Sequence, residues 1–191
     1  QRIRSFVKRS EPNRALSEVA VMVDEAVELA EIELRRRNVR LTHQVAMRLP
    51  KLMVDPILIE QVLVNLLKNG AESVDSAQRP TARRSVELRV MPQMVDGKSV
   101  VEFSVIDSGK GIAPEVMERL YEAFYSTKAD GMGIGLSLCR SIVESHQGRM
   151  KAENIYNGAD VTGCHFSFWI PVDELSPVAG TVPDTQHSIL G

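Results

Sequence analysis

Two glycine-rich segments hold the residues with the clearest chemistry in this sequence. In the first, 107–112, the carboxylate of Asp107 stands directly before a glycine turn. The second, 131–136, opens an apolar stretch with helical spacing. A carboxylate can hold the amino group of a nucleotide base, and backbone N–H groups of a glycine loop at a helix start can bind phosphates. Together with the stretch upstream of them, the two segments predict an ATP site.

A pair of asparagines in that upstream stretch adds a second set of polar groups. Asn65 and Asn69 are four residues apart and therefore share one face of a predicted helix rich in valine and leucine. Burying an amide without a hydrogen-bond partner costs on the order of 1–3 kcal/mol, so the pair is either satisfied by neighbouring backbone or directed at a ligand. Ordinary polar residues at the rim of a helix are the alternative.

The elements that must position these residues follow from the spacing of apolar side chains. Steps of three and four residues predict helices over 15–37 and 134–145. Asp55 followed by Pro56 predicts the capped start of a helix that runs to about Val74, and Asp96 with Gly97 predicts a hairpin turn. Alternating apolar residues predict the strands 39–45, 86–90, 100–106, 149–155 and 165–170. The pattern is that of an α/β domain with antiparallel strands in its sheet.

Composition narrows the functional classes. The chain has 191 residues, of which 43% are hydrophobic, so it can bury a substantial core. Its 23 basic and 25 acidic residues are nearly balanced, so bulk charge does not draw it to nucleic acid or to a membrane surface. Cys139 and Cys164 have neither metal-ligand nor disulfide spacing, and no apolar run approaches the roughly 20 residues of a membrane span. We expect a cytoplasmic location, within a longer protein that could itself be membrane-anchored.

Four motifs in fixed order resemble a known family. The stretches NLLKNGAES (65–73), DSGKGI (107–112), LYEAFYSTK (120–128) and GMGIGLSLC (131–139) resemble the N box, first glycine box, F box and second glycine box of the catalytic ATP-binding domain of sensor histidine kinases, within the GHKL superfamily. The short stretch from Phe124 to Leu136 resembles the oxygen-sensing and nitrogen-regulatory subgroup. RIRSFVKR (2–9) resembles the end of a second dimerisation helix.

The resemblance implies a Bergerat fold, an α/β two-layer sandwich with a mixed β-sheet covered on one face by about three helices. Residues 1–11 would be the tail of a dimerisation helix, and residues 12–174 the catalytic domain. Residues 175–191, which lack periodicity, would be a flexible C-terminal tail.

The resemblance also assigns roles to single residues. Asn69 would ligate Mg²⁺ between the ATP phosphates with Asn65 in support, and Asp107 would accept a hydrogen bond from the adenine amine. Gly109 and Gly111 would let the backbone approach the base, and Lys128 would be a mobile cation over the γ-phosphate. The predicted catalytic residues are Asn65 and Lys128, the metal ligand is Asn69, and the cofactor-binding residues are Asn65, Asn69, Asp107, Gly109, Gly111, Ile112, Ser126, Thr127, Lys128, Gly131, Met132, Gly133, Ile134, Gly135 and Leu136.

Three positions depart from the family pattern. Lys110 stands in the first glycine box where a small residue or proline is common. Gly70 stands where alanine is usual, at a helix cost of about 1 kcal/mol. Cys164 stands where relatives commonly have a small or hydroxyl residue, which puts a threonine contact to the nucleotide in doubt.

Asn65 bears on what the site does with ATP. Hydrolytic relatives place a glutamate general base four residues before the metal-binding asparagine, and an amide cannot take a proton. Transfer to a histidine imidazole needs no such base, which favours a protein-histidine kinase. His43, His146, His165 and His187 lack the expected acceptor setting, so the acceptor is expected upstream of Gln1.

The partners implied are the dimerisation helices of the same longer protein, which would be a homodimer, and a response regulator receiver domain whose aspartate takes the phosphate. No nucleic acid and no direct membrane contact are expected. Two alternatives stay open: a degenerate module that binds ATP without transfer, and a hydrolytic ATPase of the same fold.

Overall fold

The computed structural model describes residues 12–120 and 133–173, apart from the side chain of Ile134. In chain order the elements are β1 (Ala15–Ser17), α1 (Val19–Arg36), β2 (Arg40–Val45), β3 (Leu52–Val54), α2 (Pro56–Ser76), a 3₁₀ turn (Thr81–Arg83), β4 (Ser85–Val95), β5 (Lys98–Asp107), α3 (Pro114–Met117), α4 (Gly133–Ser145), β6 (Arg149–Asn157) and β7 (Asp160–Pro171). The predicted hairpin turn is confirmed, since Asp96 and Gly97 both have positive φ, as a type I′ turn requires.

The central sheet has five strands in the order β2-β4-β5-β7-β6. β2 runs parallel to β4, and the other neighbours are antiparallel. The buried residues of this sheet belong to β4, β5 and β7, beneath the helices, and Phe103 stacks on Phe168 with 4.7 Å between ring centroids. This arrangement confirms the predicted mixed sheet covered by helices.

The predicted first helix was wrong at its start. Ala15–Ser17 pairs with Leu52–Val54 as a separate two-stranded sheet, and the helix begins at Val19. Leu16 and Val19 are three residues apart, so Leu16 fitted the helical period although its backbone is extended. The short strand β3 was not predicted. β4 also extends past its predicted end through Pro92, which is tolerated because the pairing of β2 with β4 covers residues 85–90 and stops before the proline.

The helix that carries the asparagines begins as predicted. Asp55 caps α2, with Oδ1 accepting from the N–H groups of Ile57 and Leu58 at 3.2 and 3.3 Å, and Pro56 occupies the first turn. The buried His146 at the end of α4 accepts the Asp55 N–H at Nε2 (3.1 Å), while Nδ1 lies 2.8 Å from the carbonyl of Ile142. His146 therefore ties α4 to the start of α2, which agrees with a structural role.

Candidate nucleotide site

The register of three strands brings polar residues to one end of the sheet. Asp107 ends β5 opposite Cys164 of β7, and Cys164 lies opposite Asn154 of β6. A cavity of about 1000 Å³ opens between this end of the sheet and α2. Of the predicted residues in the described part of the chain, Asn69, Asp107, Gly111, Ile112 and Leu136 line it.

Asp107 is buried in the wall of this cavity, with 5% of its surface exposed. Its Oδ1 accepts the Gly109 N–H at 2.8 Å. Burial raises the pKa of the Asp107 carboxyl to about 6, against the opposing effect of hydrogen bonds from the backbone of Gly109 and Cys164. The carboxyl is therefore a desolvated acceptor that is mostly ionised at neutral pH, as recognition of an amino group requires.

The two glycines after Asp107 are required by packing within the protein. A Cβ at Gly109 would lie 2.1 Å from Ser73 Oγ and 2.8 Å from the Ser73 carbonyl carbon. Gly111 has a φ of +73°, and a Cβ there would lie 2.3 Å from Cγ1 of Val161. The sequence interpretation assigned these glycines to the approach of the base. The structure adds a different reason, which is that the turn lies against α2 and β7.

α2 lies close to Asp107 at Gly70. A Cβ at Gly70 would lie 3.3 Å from the Cβ of Asp107 and 3.2 Å from Cγ2 of Val86, which is tighter than ordinary packing. Glycine in place of the usual alanine thus lets the helix approach the carboxylate. Asn69, the preceding residue on α2, lines the cavity together with Glu72 and Ser73.

Asn65 has a different neighbour from Asn69. Burial raises the pKa of the fully buried Cys139 thiol on α4 to about 12, and the Asn65 side chain beside it acts in the opposite direction. Within the described part of the chain, Asn65 is not among the residues that line the cavity. Asn65 therefore lies near α4, and its predicted place beside the phosphates stays a prediction.

A network of charges at the rim of the cavity was missed by sequence reasoning. Arg37, at the end of α1, lines the cavity; its Nη1 lies 2.9 Å from Asp75 Oδ2, and its Nη2 lies 4.0 Å from Glu72 Oε1. Arg84 Nη2 contacts the other oxygen of Asp75 at 2.9 Å. Hydrogen bonds from Arg84 and Arg37 lower the pKa of Asp75. The sequence pattern predicts Arg37 only as part of the charged end of a helix.

Two further residues that the sequence interpretation missed hold the segment after Asp107. Asn154 accepts the Ile112 N–H at 2.8 Å and donates to the Ile112 carbonyl at 2.7 Å. Arg79 donates to the carbonyls of Ser108 and Gly109, both at 3.1 Å. The alternation of residues along β6 predicts that the side chain of Asn154 faces inward, and a polar residue at such a position indicates a specific hydrogen-bonding role. Arg79 follows α2 in a polar loop and had no such signal.

Much of the predicted phosphate cover lies outside the described residues. This applies to Ser126, Thr127, Lys128, Gly131 and Met132, and to the side chain of Ile134. Gly133 is the first residue of α4, one position before the predicted start of the helix. A Cβ at Gly135 would meet no atom of the described residues within 4 Å, so their packing does not require glycine there.

The fold and this cavity define an α/β sandwich built to hold a nucleotide between a sheet end and a helix. Residues 54–174 match the family described as histidine kinase-, DNA gyrase B-, and HSP90-like ATPase, and the chain belongs to this family. Its order of motifs and its relatives make it an ATP-binding catalytic domain of the sensor histidine kinase type.

The relatives are multidomain sensor proteins. The chain is 34% identical to the C4-dicarboxylate transport sensor protein DctS of Rhodobacter capsulatus, with 91% of this chain and 25% of that protein covered. It is also 34% identical to the sensor protein FixL of Bradyrhizobium diazoefficiens, with 90% of this chain and 32% of that protein covered. The chain thus spans a quarter to a third of the length of these curated relatives.

A solved structure agrees with the fold. The nucleotide-free catalytic domain of the histidine kinase ThkA is 27% identical, with a TM-score of 0.66, and the match covers 83% of this chain and 95% of that one. Across residues 12–120 and 133–173, no helix has the length and apolar character needed to span a membrane.

Proposed function

We propose that this domain binds Mg-ATP and transfers the γ-phosphate to a histidine on a dimerisation helix of the same longer protein. The observation that carries the proposal is the cavity that both the buried Asp107 and Asn69 of α2 line. An acceptor for the base and an amide for the phosphate end thus open onto one space of nucleotide size.

Asp107 would recognise the adenine base. The Gly109 N–H fixes Oδ1, and the ionised carboxyl then accepts a hydrogen bond from the exocyclic amine of the base. A guanine presents a carbonyl oxygen at the corresponding position, which the carboxylate repels. The site therefore favours ATP over GTP.

Asn69 would hold the metal. Its amide oxygen is a hard neutral donor, and Mg²⁺ commonly takes one or two protein oxygens together with water and phosphate oxygens. When bound, Mg²⁺ supplies charge neutralisation to the phosphates during transfer. The described residues contain no cluster of three His, Cys, Asp or Glu side chains that could bind a metal, which fits a site completed by the nucleotide itself.

The chemistry favours transfer over hydrolysis. Asn65 cannot accept a proton from water, because an amide is not a general base. A histidine acceptor brings its own basic nitrogen. Ser126, Thr127 and Lys128 would contact the phosphates from the proposed cover 126–136, with Lys128 over the γ-phosphate.

The longer protein would supply the remaining parts. Residues 1–11 would end the dimerisation helix, the full protein would be a homodimer with this domain in the cytoplasm, and a response regulator aspartate would receive the phosphate. Support comes from the relatives, which are three to four times longer than the segment that they share with this chain.

Asn69→Ala tests the metal role on the 191-residue chain. We expect the affinity for a non-hydrolysable ATP analogue to fall about tenfold or more in Mg²⁺, because a metal ligand is lost. Without Mg²⁺, Asn69→Ala and the parent should bind alike. Gln61→Ala, on the exposed side of the same helix, is the matched control. A Mg²⁺ dependence that survives in Asn69→Ala would contradict the role. In a separate incubation with ATP itself, steady release of free phosphate by the parent would favour the hydrolytic alternative.

A further inference from the structure

The segment 108–112, between Asp107 and α3, is anchored at both ends by groups from outside it. At its start, Ser108 donates its backbone N–H to the Ser85 carbonyl at 3.2 Å and accepts the Ser85 N–H at its Oγ at 3.0 Å. These contacts place the first residue of the segment against β4. The residues that follow need other partners, because the β5 ladder ends at Asp107.

Arg79 supplies those partners on one side. Its Nε donates to the Ser108 carbonyl and its Nη2 to the Gly109 carbonyl, both at 3.1 Å, and Nη2 also lies 3.3 Å from the Val161 carbonyl. The planar guanidinium presents its donors in a fixed fork, so it holds three carbonyl groups in one relative arrangement. Arg79 thus joins the segment to β7 as well as to the end of α2.

Asn154 supplies partners on the other side. Its amide accepts from the N–H and donates to the carbonyl of Ile112, at 2.8 and 2.7 Å. This is the pair of bonds that a neighbouring strand would provide, made by one side chain. Gly111 lies between Gly109, which Arg79 holds, and Ile112, which Asn154 holds, and it has a φ of +73°. Both Gly111 and Ile112 line the cavity.

We propose that Arg79 and Asn154 are positioning residues, which hold segment 108–112 in its binding geometry before ATP arrives. The inference rests on the proposed function, because it concerns the adenine side of that site. Neither residue needs to touch the base to act in this way. They fix the backbone whose Gly109 N–H orients the Asp107 carboxyl, so their loss lets the acceptor and the wall of the pocket move.

A positioning role predicts a loss of discrimination as well as of affinity. In the 191-residue chain, Arg79→Met and Asn154→Ala should each raise the Kd for ATP about tenfold, while the Kd for GTP changes little. The ATP-to-GTP preference therefore falls about tenfold. In the full-length protein, autophosphorylation at saturating ATP should keep its kcat while KM rises, because the phosphate side of the site is untouched.

The controls separate local positioning from general loss of structure. Arg83→Met removes an exposed arginine nearby, and Asn157→Ala removes an exposed asparagine from the same strand as Asn154. Both should bind ATP and GTP as the parent does. Arg79→Lys, which keeps the charge but loses the fork, should recover only part of the preference.

Equal losses of affinity for ATP and for GTP would overturn the positioning role while the proposed function stands. Parental affinity in both Arg79→Met and Asn154→Ala would do the same. If Arg79→Met does not fold, the ATP-to-GTP preference is measured instead in Asn154→Ala and Arg79→Lys, which each weaken one of the two contacts to segment 108–112. A parent chain that binds no ATP would instead sink the proposed function, and this inference with it.

Discussion

An Asp107→Asn variant is expected to be more stable than the parent domain at pH 7.5 and to bind ATP about a hundredfold more weakly. Both effects have one cause, which is that the site keeps a charged carboxyl in a buried position for the ligand. Burial raises the pKa of Asp107 from 3.8 to about 6. The two readouts should therefore move in opposite directions.

The sign of the stability effect follows from this pKa. The folded state binds the Asp107 proton more tightly than the unfolded state, so the group favours folding most below pH 3.8. That advantage is lost as the pH rises through about 6, at a cost on the order of 3 kcal/mol above it. Asparagine removes the cost but leaves a backbone N–H of Gly109 or Cys164 facing an NH₂ group, so we expect a net gain of about 1–2 kcal/mol.

Urea unfolding between pH 5 and 8 measures this gain, and calorimetry measures the affinity. The difference in unfolding free energy between Asp107→Asn and the parent should grow from pH 5 to about pH 7 and then level off, because the folded parent ionises at a pKa of about 6. Asp96→Asn is the matched control, since Asp96 is exposed in a type I′ turn that asparagine suits equally well. An Asp107→Asn domain that is less stable than the parent at pH 7.5 would refute this account of the carboxyl.

Gly163→Ala should destabilise the domain by about 3 kcal/mol or prevent folding altogether. A Cβ at this position would lie 1.9 Å from the Asp107 carbonyl oxygen and 3.0 Å from its carbonyl carbon. Both are backbone atoms, so a change of side-chain rotamer cannot relieve the clash. β5 and β7 would have to separate at the end of the sheet where the cavity lies.

Thermal unfolding of Gly163→Ala measures the cost. Gly158→Asn is the control: Gly158 has a φ of +64° with no atom of the described residues near a Cβ, and asparagine tolerates that backbone conformation better than other side chains. We expect Gly158→Asn to change the free energy of unfolding by less than about 1 kcal/mol. A Gly163→Ala domain with the stability of the parent would show that the strands are not packed as described.

Local signals in the sequence predicted the elements that rest on local physics. The start of α2 was predictable because a capping acid and a proline act within one turn, and the hairpin at Asp96 because its backbone conformation restricts the residue types. β1 was mistaken for helix because Leu16 fits the helical period. Its extended state depends on pairing with β3, which lies far along the chain.

The residues of the site were likewise predictable only where a local motif marks them. Asp107 and Asn69 stand in recognisable motifs, and the structure brings both to one cavity. Arg79 and Asn154 act through backbone groups from which they are distant in sequence, so only the strand register and the path of the loop reveal them. The reason for Gly70 was equally hidden, because the tight contact with Asp107 joins a helix to a strand end.

The chemical stability of the phosphorylated protein tests whether this domain phosphorylates a histidine. The full-length protein is incubated with γ-labelled ATP and Mg²⁺, and the stability of the protein-bound label is followed in acid and in base. We predict label that is lost in acid, kept in base, and absent from Asn69→Ala. Label that survives acid, or free phosphate released without any labelled protein, would contradict the account.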